Sequence, residues 1–279
     1  MSDITLIDDS EQSSLVTNGI VKNGELYLKK AGSTSAGAIV VYDNGVWRTF
    51  ANEAVSFSND YSVELDGTNE GFFLPTNINA PSTGNRLGIT GTSHTICFWT
   101  KFDTPSSVGQ HLIFYNFSVG VRIRAASDGY NPSGFRFRTS GQSGNGLVVS
   151  SSTVADRWYF LAMVCDGTSH TFYVKSDSDD VSGSVTASSF TPIGYASANP
   201  PLNIHYDEFA TFNSALSASD ISNIYNSGAP GDLSGYASLA GHWRMGDSDG
   251  GTGATITDEQ GGENIILVNG ASVVSDVPS

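Results

Sequence analysis

The stretch YDEFATFNSALSASDISNIYNSG, residues 206–228, sets a strand beside a helix. Its first seven residues, Tyr206 to Phe212, read as the end of a strand that begins near Asn203. The helix start is marked by Ser217 with Asp220 three positions on, the spacing of a capping box. Ile221 and the pair Ile224-Tyr225 then return at helical spacing to give one apolar face, and Gly228 supplies a stop. No other segment carries helix signals of this strength, so the rest of the chain has to be explained as strands.

Working outward, strand candidates recur at short intervals: YSVELDG, EGFFL, HTICFWTKFD, HLIFYNF, GVRIRAA, GFRFRTS, GLVVSSS, RWYFLAMVCDG, SHTFYVKS, LAGHWRMG and NIILVNGASVV. Asp-Gly, Asn-Gly and Ser-Gly pairs punctuate them as turns. So many antiparallel candidates imply an all-β fold, a two-sheet antiparallel jelly-roll sandwich. Residues 55–279 are assigned to it. Residues 1–54 stand apart as an acidic arm followed by short strands, with Asn44-Gly45 placed for a tight hairpin turn. Three short strands do not make a stable domain alone, so this segment is read as an attachment element that docks on something else.

Composition limits the function. The 279 residues carry 13 Lys and Arg against 28 Asp and Glu, a formal charge of −15. Phosphate repulsion then excludes a general nucleic-acid binder. No stretch approaches a membrane span, and the acidic opening MSDITLIDDSEQ does not read as a signal peptide. Cys97 and Cys165 both fall inside apolar strand runs and read as buried free thiols of a chain made in a reducing cytosol.

Four segments together resemble the laminin-G-like and concanavalin-A-like lectin and glucanase superfamily: Ser62-Val-Glu-Leu-Asp-Gly-Thr68 with Gly71-Phe-Phe-Leu74; Thr95-Ile-Cys-Phe-Trp-Thr-Lys-Phe102; Arg157 to Gly167 leading into Thr171-Phe-Tyr-Val174; and the strand–helix stretch 206–228. The segment Gly241 to Gly250 is similar to a further element of that family. The resemblance covers about residues 55–279 and implies the sandwich, but the superfamily hosts hydrolases, lectins and structural modules alike. It also implies a structural calcium ion, joining the Asp66–Gly71 turn to Asp207, so Asp66, Gly71 and Asp207 are the expected metal residues. Asp247 and Asp249 in GDSDGG resemble a loop cation site as well, although such Gly/Asp mixtures commonly form plain turns. The N-terminal segment, with GELYL and VVYDNGVWRTF, is similar to the start of marine tailed-phage structural proteins, which implies a virion component assembled in the host cytoplasm.

Catalysis finds little support. Glu64-Leu65-Asp66 begins the carboxylate pattern of the family's glucanases, but Gly67, Thr68 and Asn69 follow and Glu70 comes too late. A glycosidase needs two carboxylates flanking the bond, and no nucleophile elbow or metal-binding histidine spacing is present. The five histidines are scattered. The arginines carry a different signal: Arg122 and Arg124 alternate on one strand, Arg136 and Arg138 on the next, so period two puts each pair on one face. With Tyr130 in the loop between, they form a candidate face for an anionic sugar or an acidic partner subunit, against the alternative of surface arginines paired with local acids. Trp99, Trp158 and Trp243 are expected in the core; Tyr115, Tyr130 and Tyr195 lie nearer loops.

The preferred expectation is therefore a non-enzymatic virion structural protein, a capsid decoration or head-surface protein. Its N-terminal segment would contact other virion proteins and its lectin-like sandwich would face outward, as a homo-oligomer for which trimers are common in the class. A tail-associated adhesin binding a surface glycan is the alternative, and a glycoside hydrolase the third reading.

Overall fold

The computed structural model describes residues 5–7, 26–29, 39–43, 46–49, 57–66, 70–73, 87–102, 122–124, 135–138, 147–149, 154–186, 197–198 and 203–279. The chain divides into two compact units, Met1–Phe57 and Ser58–Ser279. In the first unit, β1 (Thr5–Ile7), β2 (Leu26–Lys29), β3 (Ile39–Asp43) and β4 (Val46–Thr49) form one sheet in that order. β3 and β4 pair antiparallel up to Asp43 and Val46; Asn44 and Gly45, where the sequence places a turn, lie outside the described residues. The acidic arm is not wholly an arm: Thr5–Ile7 runs parallel to β2 as a fourth strand.

The second unit holds β5 (Ser62–Asp66), β6 (Gly71–Phe73), β7 (Ser93–Phe102), β8 (Arg122–Arg124), β9 (Arg136–Arg138), β10 (Leu147–Val148), β11 (Trp158–Asp166), β12 (Ser169–Lys175), β13 (Asp180–Thr186), β14 (Ser197–Ala198), β15 (Asn203–Phe212), α1 (Ala218–Tyr225), β16 (Leu239–Trp243), β17 (Thr255–Ile256), β18 (Ile265–Val268) and β19 (Ser272–Val274). The large sheet runs β13-β12-β11-β7-β15-β5-β19, with β16 beside the second half of β15. Smaller sheets run β14-β6-β18-β17 and β10-β9-β8.

One face of the large sheet builds the sandwich core. Val63, Leu65, Phe98, Leu161, Phe172, Val174, Ile204 and Tyr206 pack with Phe72, Ile256, Ile265 and Leu267 of the four-stranded sheet and with Phe135. The opposite face is covered too. Cys97, Trp99, Phe160, Ala162, Ala210 and Phe212 pack under Leu216, Ile221, Ile224 and Leu233. Burial on both faces explains why β11 reads WYFLAMVC with no polar alternation. A fully buried side chain of this size contributes roughly 1.5–3 kcal/mol, so the two layers together hold the middle strands firmly. Cys97 and Cys165 are both free and buried; they sit on opposite faces of the sheet, which keeps them from pairing.

The helix forms as its sequence directs. Ser217 caps it and exchanges both capping-box bonds with Asp220, while Ile221 and Ile224 are buried. Its stop differs from expectation: Asn226, not Gly228, takes the left-handed cap position, and a short 3-10 turn follows. Asn is among the few residues that accept that conformation at small cost.

A bulge in β15 positions the polar groups of this layer. Asp207 pairs with Trp99 and Ala210 with Cys97, so Glu208 and Phe209 together face a single residue of β7. Glu208 adopts a φ of 45° to do so. The extra residue re-aims the side chains: Phe209 enters the sandwich core, and Asp207 and Glu208 are turned into a buried polar nest.

Candidate functional site

Register alone assembles a polar row on the helix-bearing side of the large sheet. Trp158 of β11 is opposite Lys101 of β7, Lys101 is opposite His205 of β15, and His205 is opposite Glu64 of β5. Each of these residues alternates with a core residue, so all four share the face away from the sandwich core. Three residues of the row, Glu64, Lys101 and His205, line an open groove of about 420 Å³ together with Asp156 and, from the segment after β19, Val274, Ser275 and Asp276.

Asp276 ties one wall of the groove down. Its carboxylate pairs with the Lys101 ammonium, accepts a 3.3 Å bond from Trp158 Nε1, and its backbone carbonyl accepts 2.5 Å from Ser62 Oγ. Burial works to raise the Asp276 carboxyl, but Lys101 outweighs it and holds the group below its ordinary value. Lys101 Nζ lies 5.9 Å from the Trp158 ring centroid, and Trp158 meets His205 edge to face at 6.0 Å. Trp158 is half-buried and packs against the edge of the second apolar layer rather than inside a core as expected, since its ring also reaches Asp276 and Lys101. The groove therefore offers a cation and carboxylates, with the Trp158 ring beside it on Asp276, a combination suited to a polyhydroxylated ligand.

The expected calcium residues do not converge. Asp66 is exposed and opposite Asn203, whereas Tyr206 is opposite Val63. Asp207 thus lies beside Ser62, four residues along the strand from Asp66, roughly 13 Å at the rise of a strand. The Glu70 carboxylate accepts the Asp66 N–H, and Gly71 pairs with Val268 in the smaller sheet.

Asp207 instead meets Glu208 and Asp247, with one carboxylate oxygen of each within 4.8 Å of the others. All six of their oxygens are engaged by protein donors. Asp207 accepts from Asn59 Nδ2 at 2.9 Å and from the Glu208 N–H at 2.8 Å. Glu208 accepts from His242 Nε2 at 2.6 Å and Arg244 Nε at 2.9 Å, and Asp247 from the Asp60 N–H at 2.8 Å and Arg244 Nη2 at 3.3 Å. Asn59 Oδ1 is buried with no hydrogen-bond partner among the described residues, one oxygen where calcium takes six to eight. His242 and Arg244 already pair with these carboxylates, so the cluster does not fit calcium.

Its electrostatics follow from that. Burial and the Glu208 charge raise Asp207 well above its ordinary value, and burial raises Asp247 to about 6. Burial alone would lower His242, but hydrogen bonds to Glu208 and Glu259 raise it to about 9. The neighbouring GDSDGG segment forms a turn, in which Asp249 accepts from the Thr257 N–H and hydroxyl at 3.0 and 2.6 Å.

The arginine hairpin is assembled by register, Arg122 opposite Arg138 and Arg124 opposite Arg136. Tyr115, Tyr130 and Tyr195 lie outside the described residues.

The laminin-G-type model of the concanavalin A-like lectin/glucanases superfamily matches residues 66–222, more than half of the chain. Among solved structures, a candidate carbohydrate-binding protein from Bacteroides ovatus is 16% identical with a TM-score of 0.54, over 92% of this chain and 71% of that one. A native heptameric SAP-like pentraxin from Limulus polyphemus is 11% identical with a TM-score of 0.41, over 75% and 94%. The botulinum neurotoxin serotype D binding domain is 12% identical with a TM-score of 0.36, over 66% and 49%. No curated protein matches the chain.

Proposed function

The chain belongs to the concanavalin A-like lectin/glucanases superfamily, and from that premise we propose a non-enzymatic carbohydrate-binding module whose saccharide site is the groove over Lys101, His205 and Glu64 together with the Trp158 ring beside it. One observation carries this reading: four adjacent strands deliver an aromatic ring, a cation and a carboxylate in a single row beside an open groove. Sugar rings present apolar faces to an aromatic and hydroxyls to charged groups, which is what the row supplies.

Turnover is not part of the proposal. Hydrolysis needs one carboxyl to donate a proton while another attacks or activates water. Asp276, held ionised by Lys101 in the groove wall, is unsuited to donate.

A glycan array with the whole chain is the test. Selective binding that Trp158→Ala weakens by roughly 30-fold or more supports the groove, that being the loss of a central aromatic anchor worth about 2 kcal/mol. Absence of binding to any glycan, or binding that Trp158→Ala leaves intact, overturns it. Release of reducing sugar by the wild type but not by Glu64→Gln would make the chain a hydrolase.

We place this module on a virion, with the first unit attaching it to other virion proteins and the sandwich displayed on the head surface as a homo-oligomer. The support is the likeness of residues 1–54 to phage structural proteins. Immunogold labelling of purified particles tests it: label over heads supports decoration, label confined to tails makes the chain an adhesin there, and unlabelled particles remove the virion from the proposal.

A further inference from the structure

The three-stranded sheet β10-β9-β8 has its core side fixed by two flanking residues. Phe135, just before β9, is buried in the sandwich core with its ring 4.9 Å from that of Tyr159. Val149, just after β10, donates its N–H to the Phe135 carbonyl at 3.0 Å and packs against the same core. Alternation from these two gives Phe137 and Leu147 the core-side positions of their strands, and Ile123 is opposite Phe137. Arg136 and Arg138 therefore take positions on the outer face. Arg124 is opposite Arg136 and Arg122 opposite Arg138, so all four arginines share that face.

This placement concentrates charge. Opposed residues stand roughly 5 Å apart and alternate residues of one strand roughly 7 Å, so the four positions mark the corners of one small rectangle. Like charges directly opposite one another weaken strand pairing, and both opposed pairs here are alike. Their sequence neighbours do not offset them. Residues 104–155, which build the sheet, hold Asp128 as their one carboxylate against the four arginines, although the chain as a whole carries −15. A strand pair that keeps two opposed like-charged pairs in so acidic a chain is suited to an anion laid across it.

We propose that this face of β8 and β9, where Arg122 is opposite Arg138 and Arg124 opposite Arg136, binds the carboxylates of an acidic polysaccharide. The inference rests on the carbohydrate-binding reading but not on its groove, which lies on the other side of the large sheet. A guanidinium engages a carboxylate through two parallel N–H bonds and stays charged at every physiological pH. Two rows of arginines along the strands provide for two uronate groups of one sugar chain. Nucleic acid is a poorer occupant, since its dense phosphates meet the repulsion of the whole chain. An acidic second copy brings another −15 over a broad surface. A narrow sugar chain touches the basic face and little else, and salt screens charges lying beyond about 8 Å.

The test is binding of the whole chain to immobilised polygalacturonate, with the fully methyl-esterified polymer as the uncharged control. The wild type should bind the free acid about 10-fold or more tightly than the ester, a comparison independent of whether any variant folds. Arg136→Gln combined with Arg138→Gln should weaken binding about 10-fold or more, without lowering the melting temperature, because it removes like-charge repulsion. Arg136→Lys with Arg138→Lys keeps the charge but not the paired N–H geometry, and should fall between.

No binding by the wild type, equal binding of acid and ester, or undiminished binding by the folded glutamine variant would each overturn the site. Loss of polygalacturonate binding in Trp158→Ala but not in the glutamine variant would move the acid to the groove, overturning this site and leaving the groove reading intact. Polygalacturonate binding lost only with the arginines, beside an array on which no neutral glycan binds, would support this face and remove the groove alone. Self-association that the glutamine variant abolishes, with no polygalacturonate bound, would give the face to a second copy of the chain.

Discussion

His242 stands with Nε2 2.6 Å from Glu208 and Nδ1 3.1 Å from Glu259, so both ring nitrogens face carboxylates. Its value in the folded chain, about 9 against an ordinary 6.5, means that the fold binds this proton more tightly than the unfolded chain does. The stabilisation is complete below about 6.5 and is lost as pH rises through about 9. Asp247, raised to about 6, acts in the same direction at lower pH, and Asp207, also raised, has the same sign. Glu259 acts oppositely: bonded first of all to His242, it is lowered to about 2, and its contribution is lost as pH falls below 4.5. Thermal unfolding should therefore peak in mildly acidic buffer and fall steadily between pH 7 and 10. The loss should be on the order of 3 kcal/mol, since each tenfold difference in proton affinity is worth about 1.4 kcal/mol. His242→Gln should flatten that alkaline limb and cost about 1–3 kcal/mol at pH 6 by leaving Glu208 with Arg244 alone; an unchanged pH profile in the variant would remove His242 from this role. The same cluster yields a metal prediction. Since Arg244 and His242 already neutralise it, neither chelator nor added calcium should move the melting temperature, and a rise with Ca²⁺ would put the ion back among these carboxylates.

At the scale of elements, α1 roofs the second apolar layer, and its cap is the cheapest way to loosen that roof. Ser217 Oγ accepts the Asp220 N–H at 3.1 Å while Asp220 Oδ2 accepts the Ser217 N–H at 3.0 Å. Ser217→Ala should cost about 1 kcal/mol, read as a lower denaturant midpoint with an unchanged slope; Ile221→Ala, which empties a fully buried position, should cost about 2–5 kcal/mol. The helix is legible in the sequence because cap, apolar face and stop all lie within a dozen residues. The sites are not legible in this way. Glu64, Lys101, Trp158 and His205 are brought into one row by the register of four strands, and no spacing in the chain reveals that. The bulge at Glu208 hides the partner of Asp207 as well: continuing the strand by alternation directs attention to the Asp66 turn, whereas the extra residue delivers Asp207 to Asp247, which in sequence is only part of a glycine-rich turn.

On the scale of the molecule, the described members of both apolar layers belong to residues 58–279, and the first unit has its own four-stranded sheet. A chain with a formal charge of −15 also repels itself, so each unit needs enough internal burial to stay closed. The second unit has it: two layers sharing one sheet, with Trp99, Tyr159, Phe160, Phe172, Tyr206 and Trp243 all nearly fully buried. Residues 58–279 expressed alone should therefore melt cooperatively, within a few degrees of the corresponding transition in the full chain, and should keep the saccharide affinity of the groove. Residues 1–57 have three to five residues in each strand, a sheet too small to expect independent stability without a packed partner; expressed alone they should show no cooperative transition. Calorimetry of the two fragments beside the full chain decides the matter. Loss of cooperativity in 58–279 would mean that the first unit completes the fold of the sandwich, and its proposed role as a separate attachment element would fail.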